Sequence, residues 1–209
     1  LDLISPTPEF TVFDENKIII TKQIIKSEGN KLSEDIIPVF LDIEKSLNLG
    51  KYLKSLIVTT GPASYTALRV GIAFMLGQHF TRNVKIASLS AEDFLKFDIA
   101  SNNDSKHGMY IISANNQRFI CYKLENSKYE YIKLDKQNIN SIKDLKNIDV
   151  LYYNYQPLKN FELKFKQKKY IINENVFKIY SNLNFLNSEL IKPLYISNNQ
   201  KLNWKKFIN

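Results

Sequence analysis

A single cysteine, Cys121, excludes an internal disulfide and fits a reducing compartment. It sits in the apolar run Phe119-Ile120-Cys121-Tyr122, where a small buried hydrophobe is expected rather than a nucleophile. Only two histidines are present, His79 and His107, with no carboxylate at ligand spacing. A zinc or iron site needs three or four convergent ligands, so no metal site is expected. No run of eighteen apolar residues occurs, which argues against a membrane span. The first residues lack a basic stretch followed by an apolar one, so a secretory leader is not expected and a cytoplasmic location is. No Gly-x-x-x-x-Gly-Lys-Ser/Thr loop is present to cradle phosphates, and no Gly-x-Ser-x-Gly elbow to present a nucleophile.

What the chain does hold is enough apolar material for a core: 44% hydrophobic and 12% aromatic residues over 209 positions, in one domain or two small lobes. The formal charge of +8 is uneven. Residues 1–100 carry a net −1 and residues 101–209 a net +9. Such asymmetry can mark a nucleic-acid surface. The lysines are scattered, however, and the densest cluster (Lys164, Lys166, Lys168, Lys169) is short. Compositional drift is therefore the favoured reading, with weak, salt-dependent attraction to a nucleic acid as the other.

Phe10-Thr11-Val12-Phe13 and Ile18-Ile19-Ile20 flank Asp14-Glu15-Asn16-Lys17, a hairpin pattern. Residues 34–48 place Ile36, Ile37, Phe40, Ile43 and Leu47 on one helical face. Pro38 is tolerable if that helix starts near Asp35 and otherwise kinks it. Residues 54–60 read as a buried strand, 64–80 as a helix and 84–88 as a strand, and Ser90-Ala91-Glu92-Asp93 as a capped short helix. The polar stretch 99–107 reads as a linker, with His107 in a loop and His79 closing a helix, both structural. Strands at 109–113, 118–124 and 129–134 follow, with Asn115-Asn116 as a turn. A helix at 141–147, a strand at 149–153 and a helix at 177–190 complete a second round of strands, helix and strand. Antiparallel strands followed by alternating helices predict an α/β layer on a mixed sheet.

The most informative stretch is Gly61-Pro62-Ala63-Ser64-Tyr65-Thr66-Ala67-Leu68-Arg69-Val70-Gly71. Gly and Pro end a strand, and Ser64 can accept from the first helical turn. Gly71 and Gly77 each cost a helix about 1 kcal/mol relative to Ala, which predicts close approach by another backbone. Ala63, Ala67 and Gly71 share one face; on the residues alone this reads first as an internal contact with the sheet, and second as a face that lets a helix come near.

This stretch resembles the Gly-Pro-Gly-Ser-Phe-Thr-Gly-Leu-Arg-Ile-Gly signature of the bacterial TsaB (YeaZ) family of threonylcarbamoyladenosine biosynthesis proteins, paralogues of TsaD. Ala63 and Ala67 replace glycines. Ser33-Glu34-Asp35-Ile36-Ile37-Pro38 is similar to the family's His-Ser-Glu…Leu-Leu-Pro helix, with Leu32 in place of His. Pro193-Leu194-Tyr195-Ile196-Ser197-Asn198-Asn199 and Trp204-Lys205-Lys206 are similar to its Pro-Val-Tyr-Leu-Arg-Asn-Asn…Trp-Lys-Lys tail, with Ser197 where Arg is common.

The resemblance implies two lobes of the actin-like, Hsp70-like ATPase (RNase H-like) fold, 1–100 with the partner-binding helices and 106–209 smaller and basic. It implies a non-catalytic scaffold that pairs with TsaD and helps recruit TsaE, the small ATPase. The complex transfers threonylcarbamoyl to N6 of the adenosine next to the anticodon, in tRNAs reading codons that start with A. ATP and metal would reside on the partners, and the chain alone could form a homodimer. The implied docking residues are Ser33, Glu34, Ile37 and Pro38 on the first helix, and Tyr65, Thr66, Arg69, Ile72 and Ala73 on the second. The family's Asp-Thr-Ser echo of an ATPase site falls on Leu3-Ile4-Ser5-Pro6-Thr7, with Ile4 at the acidic position, and isoleucine cannot hold Mg²⁺. The competing readings are a kinase-like or hydrolytic nucleotide-binding enzyme of the same fold and an RNA-binding module.

Overall fold

The computed structural model describes residues 1–15, 17–24, 31–99, 106–124, 128–134, 148–159, 165–185 and 191–196. The first half runs β1 (Glu9–Phe13), β2 (Ile18–Gln23), α1 (Leu32–Leu47), α2 (Leu49–Tyr52), β3 (Ser55–Gly61), α3 (Tyr65–Arg82) and β4 (Lys85–Ser90). The short α4 (Ala91–Phe94) continues into a π turn over Leu95–Ile99. The second half holds β5 (His107–Ile112), β6 (Arg118–Lys123), β7 (Tyr129–Leu134), β8 (Val150–Tyr153), β9 (Lys166–Lys169) and α5 (Ile172–Asn175), the last followed by a 3-10 segment, Val176–Asn182.

Two β layers share one plan. In the second half the order is β7-β6-β5-β8-β9. The antiparallel members lie on one side of β5 and the parallel β8 and β9 on the other. In the first half β1–β2 and β3–β4 form separate ladders, and residues 1–3 join them. Asp2 and Glu9 exchange backbone bonds of 2.9 and 3.1 Å, and Thr59 donates to the Leu1 carbonyl at 3.0 Å. The Leu1 amino group donates to the Ile57 carbonyl at 2.7 Å. The first-half order is thus β2-β1-(1–3)-β3-β4. In both halves the segment that comes first in the chain lies centrally, which is the duplicated layout the sequence predicts.

Local chemistry explains the elements. The Ser64 hydroxyl accepts from the Ala67 N–H at 3.2 Å and starts α3. Ser90 and Asp93 form a reciprocal capping box at α4. Asn48 and Asn83 end α1 and α3 in the left-handed region. α1 begins at Leu32, so Pro38 lies inside it without breaking it. Pro38 is exposed, so the Glu34 carbonyl it leaves without a helical donor can face water.

The core is divided by the sheets. Ile36, Val39, Phe40 and Ile43 of α1 pack with Leu68, Ile72 and Met75 of α3 over Leu56 and Val58. A second cluster brings Ile57, Leu89 and Phe94 together with Met109, Phe119, Ile172 and Ile179. Cys121 is fully buried in β6, and burial pushes its thiol up.

Several expectations change. His107 is not a loop residue: it opens β5, is buried, and desolvation lowers its pKa. The lysine cluster is in large part β9, an edge strand with all four residues exposed. Lysines on an edge strand discourage further pairing. Residues 177–182 are 3-10 rather than α-helical, and α5 precedes them. The 141–147 helix, most of the 99–107 linker and therefore the division between halves, residues 197–199, and Trp204-Lys205-Lys206 lie outside the described residues.

Candidate functional site

The corner between β3 and α3 is built by close approach. Gly61 adopts φ +120°, a conformation that favours glycine. A Cβ there would meet the Leu194 carbonyl oxygen at 2.9 Å. The Leu194 N–H donates to the Thr60 carbonyl at 2.7 Å. Tyr195 then stacks on Tyr65, with ring centroids 4.5 Å apart. The Arg69 guanidinium lies 5.2 Å from the Tyr65 ring centroid and donates to its hydroxyl at 3.4 Å. The corner motif and the described part of the tail motif are therefore neighbours in space.

α1 packs along α3 in the same direction. Phe40 meets Phe74 at 5.2 Å, and Glu44, four residues later on α1, pairs at 2.6 Å with Arg82, eight residues later on α3. Arg82 also covers the Phe40 ring at 5.5 Å. This register sets Ile37 level with the Arg69–Ala73 turn of α3. The first two sequence motifs and the described part of the tail, Pro193–Ile196, converge on one region.

Eight of the nine expected docking residues are exposed: Ser33, Glu34, Ile37, Pro38, Tyr65, Thr66, Arg69 and Ala73. Ile72 is the exception. It is 5% exposed and part of the core beside Ile36 and Met75, so it supports the helix from within and offers nothing to a partner. Ile37 also departs from the expected apolar stripe: it is 53% exposed, while Ile36, Phe40 and Ile43 are buried. Leu41, one turn later on the same face, is likewise 53% exposed. The sequence reading missed it, although its spacing from Ile37 was a legible signal. Glu34 has a local task as well, since its carboxylate lies 3.5 Å from the Lys31 N–H at the helix start.

The small-residue stripe is internal. Ala63 and Ala67 are buried. A Cβ on Gly71 would fall 2.5 Å from a Leu3 methyl. The close neighbour is thus the first strand segment, not a facing helix. Gly77 has nothing within 4 Å of a built Cβ, so close approach does not account for it.

An acidic residue does stand early in the first half, at Asp2 rather than at the position of Ile4. Its Oδ1 accepts from the Ile4 N–H at 2.8 Å, the Ser5 N–H at 3.2 Å and the Thr59 hydroxyl at 3.4 Å. Among the described residues its Oδ2 has no hydrogen-bond partner, and desolvation raises its pKa. Glu9, beside it, is pushed up to about 7 by burial and by the Asp2 charge. An actin-like ATPase site implies Mg-ATP. The donor set does not fit the metal: Oδ1 is already shared by three donors, and among the described residues no group of three His, Cys, Asp or Glu could hold an ion. The His79 Nδ1–H donates to the Val84 carbonyl at 2.6 Å, a structural role.

No family model matches this sequence, and no curated protein does. The fold has clear relatives among solved structures. A crystal structure of an uncharacterized protein with similarity to peptidase YeaZ from Pseudomonas aeruginosa superimposes with a TM-score of 0.59 at 12% identity, covering 94% of this chain and 97% of that one. YeaZ from Pseudomonas aeruginosa superimposes with a TM-score of 0.59 at 10% identity, covering 93% and 97%.

Proposed function

From a YeaZ-like, actin-like ATPase fold, we propose that the chain is a non-catalytic, TsaB-like scaffold subunit. It docks a TsaD-like partner through the outward faces of α1 and α3. The partner carries metal and chemistry, and a TsaE-like ATPase and tRNA join through the complex. The observation that carries this reading is the exposed apolar pair Ile37 and Leu41 on α1, beside the exposed small residue Ala73 and the Tyr65–Arg69 pair on α3. Exposed large apolar residues in a row are unusual on a monomer surface. A flat row next to a small residue admits a partner helix, and Arg and aromatic residues supply anchors. The supported role is threonylcarbamoyl transfer to the N6 amine of the adenosine next to the anticodon.

The test is co-elution with a TsaD-like protein on size exclusion at micromolar concentration. Ile37→Asp together with Ala73→Arg is expected to abolish the joint peak and leave the melting temperature unchanged. Two monomer peaks from the unaltered proteins overturn the reading. A second reading, a nucleotide-binding enzyme, is favoured by the unpartnered oxygen of buried Asp2 alone. Calorimetry with Mg-ATP discriminates, since tight binding by the isolated chain belongs only to that reading.

A further inference from the structure

β9 is the outermost strand of the second-half sheet, in the half that carries the basic excess. Three of its four residues are lysines, and all four are exposed. The hydrogen bonds fix which way each group points. The Lys166 N–H donates to the Asp149 carbonyl at 3.0 Å, and the Tyr170 N–H to the Tyr153 carbonyl at 2.8 Å. Main-chain groups change side with each residue of a strand. Those of Lys166, Lys168 and Tyr170 therefore turn to β8, and those of Gln167 and Lys169 to the outer edge. Side chains alternate as well, so Lys166 and Lys168 lie on one face of the sheet and Lys169 on the other.

The loop after β8 adds to this edge. It leaves β8 at Tyr153, level with Lys169. It returns at Leu158, which the Gln167 amide holds in both directions. The Leu158 N–H donates to Oε1 at 2.8 Å, and Nε2 donates to the Leu158 carbonyl at 3.0 Å. The next residue, exposed Lys159, is thereby set beside β9. Between these two anchor points Tyr155 is 61% exposed. Lysines that are scattered in sequence thus share one surface with an aromatic ring. Among the described residues no ion pair engages Lys159, Lys166, Lys168 or Lys169. The acid at this edge, Asp149, accepts from the Lys106 N–H at 2.8 Å.

Discouraging a further strand accounts for charge on β9 itself. It does not account for Lys159 outside the strand, or for a tyrosine ring exposed beside it. Nucleic-acid chemistry accounts for both. Lysines neutralise phosphates, outward N–H groups donate to phosphate oxygens, and an exposed aromatic ring takes a stacked base. RNA bases reach such a ring where the strand is unpaired, in loops and at ends.

We propose that β9 and the 154–159 loop form a contact surface for an unpaired RNA strand, with phosphates on Lys159, Lys166, Lys168 and Lys169 and a base on Tyr155. This deepens the scaffold reading, on which the choice of tRNA rests: the chain grips the RNA itself and does not only reach it through its partners.

The experiment titrates an unmodified, labelled tRNA transcript with the 209-residue chain by fluorescence anisotropy, between roughly 50 and 200 mM salt. Binding is expected to weaken steeply as salt rises. Lys166→Glu with Lys168→Glu should weaken it at least about tenfold and make the slope of log K against log salt shallower by roughly 1.4–1.8, two phosphate contacts at about 0.7–0.9 each. Tyr155→Ala should weaken it about fivefold or more at an unchanged slope, because stacking releases no counterions. Lys51→Glu with Lys54→Glu makes the same charge change on exposed lysines of the first half and should cost less than about twofold, its charges being screened from the site. All variants should keep Tm within about 1 °C, as exposed changes do.

No binding at about 100 μM protein and 50 mM salt, the weak end of non-specific affinities, overturns the proposal. So does an equal loss from the two lysine pairs, because affinity then follows net charge alone. So does a deca-glutamate peptide that binds as tightly as the tRNA, because the surface then takes an acidic peptide. Absent tRNA binding with intact TsaD-like co-elution ends this inference and leaves the scaffold reading standing. Absent co-elution with the expected tRNA binding ends the scaffold reading and leaves this surface standing.

Discussion

Tyr195 stacks on Tyr65 with ring centroids 4.5 Å apart and planes inclined by 31°. The contact ties the tail motif to the first turn of α3, and Arg69 lies against the opposite partner of the same pair. Aromatic pairs contribute about 0.5–1.5 kcal/mol beyond burial. A double-mutant cycle with Tyr65→Ala and Tyr195→Ala should therefore return a coupling of about that size in urea unfolding. Coupling near zero would mean that the tail does not rest on the corner.

Arg69→Glu tests the surface more directly. Arg69 is exposed and its contacts are with Tyr65. The substitution should shift Tm by less than about 1 °C, since exposed changes are small. It should weaken the TsaD-like complex at least about tenfold, as loss of a central anchor does. A large stability loss with unchanged affinity would place Arg69 in the fold instead.

The two α3 glycines should respond with opposite sign. At Gly77 a built Cβ meets nothing, so Gly77→Ala should stabilise by about 1 kcal/mol through helix propensity. At Gly71 a Cβ would meet the Leu3 methyls at 2.5 and 2.6 Å. Leu3 is fully buried and has no free direction to move. Gly71→Ala should then destabilise by about 1–3 kcal/mol despite better propensity. Chemical denaturation of both variants checks the sign at each position.

These contrasts show where sequence was readable. Ser64, Ser90 and the continuous apolar run around Cys121 carry their own local signals, so α3, α4 and β6 were predictable. Residues 1–3 were not: three residues containing an acid do not alternate, and only the Asp2–Glu9 and Leu1–Thr59 bonds reveal a strand. β9 was hidden because an exposed edge strand of lysines has no apolar period. At the candidate site, helical spacing placed Ile37 in the apolar stripe of the first helix, and the resemblance placed Ile72 among the docking residues. Only tertiary packing turns Ile72 inward, against the α1 stripe, and leaves Ile37 and Leu41 outside. The small-residue stripe departs from its expectation: at Gly71 the close neighbour is the Leu3 side chain rather than another backbone, and Gly77 has none.

Glu9 makes the fold sensitive to pH. Its folded pKa of about 7 lies above the ordinary 4.5, so the folded state favours the protonated form. Its contribution is fully present below about 4.5 and is lost as pH rises through 7. Comparing Glu9→Gln with the unaltered chain isolates the carboxyl. Glutamine keeps an acceptor for Asn173 and cannot ionise. The variant's Tm advantage should be absent near pH 4 and grow between pH 5 and 8. A difference that stays flat over that range would show that Glu9 titrates normally.

Asp2 decides between a structural and a nucleotide-handling acid. Its Oδ1 holds the Ile4 and Ser5 N–H groups and the Thr59 hydroxyl, so removing it strands buried donors at about 1–3 kcal/mol. Asp2→Ala should therefore lose about that much stability. Asp2→Asn retains the accepting oxygen and buries a group that never ionises, although Oδ2 has no partner in the wild type. It should be close to neutral, and more favourable relative to the wild type at high pH, because burial raises the Asp2 pKa. If the acid is structural, neither variant changes Mg-ATP calorimetry or co-elution with the TsaD-like partner beyond the effect of stability. If Asp2→Asn abolishes a measurable ATP signal while leaving Tm unchanged, the carboxylate handles nucleotide and the scaffold reading gives way to the enzymatic one.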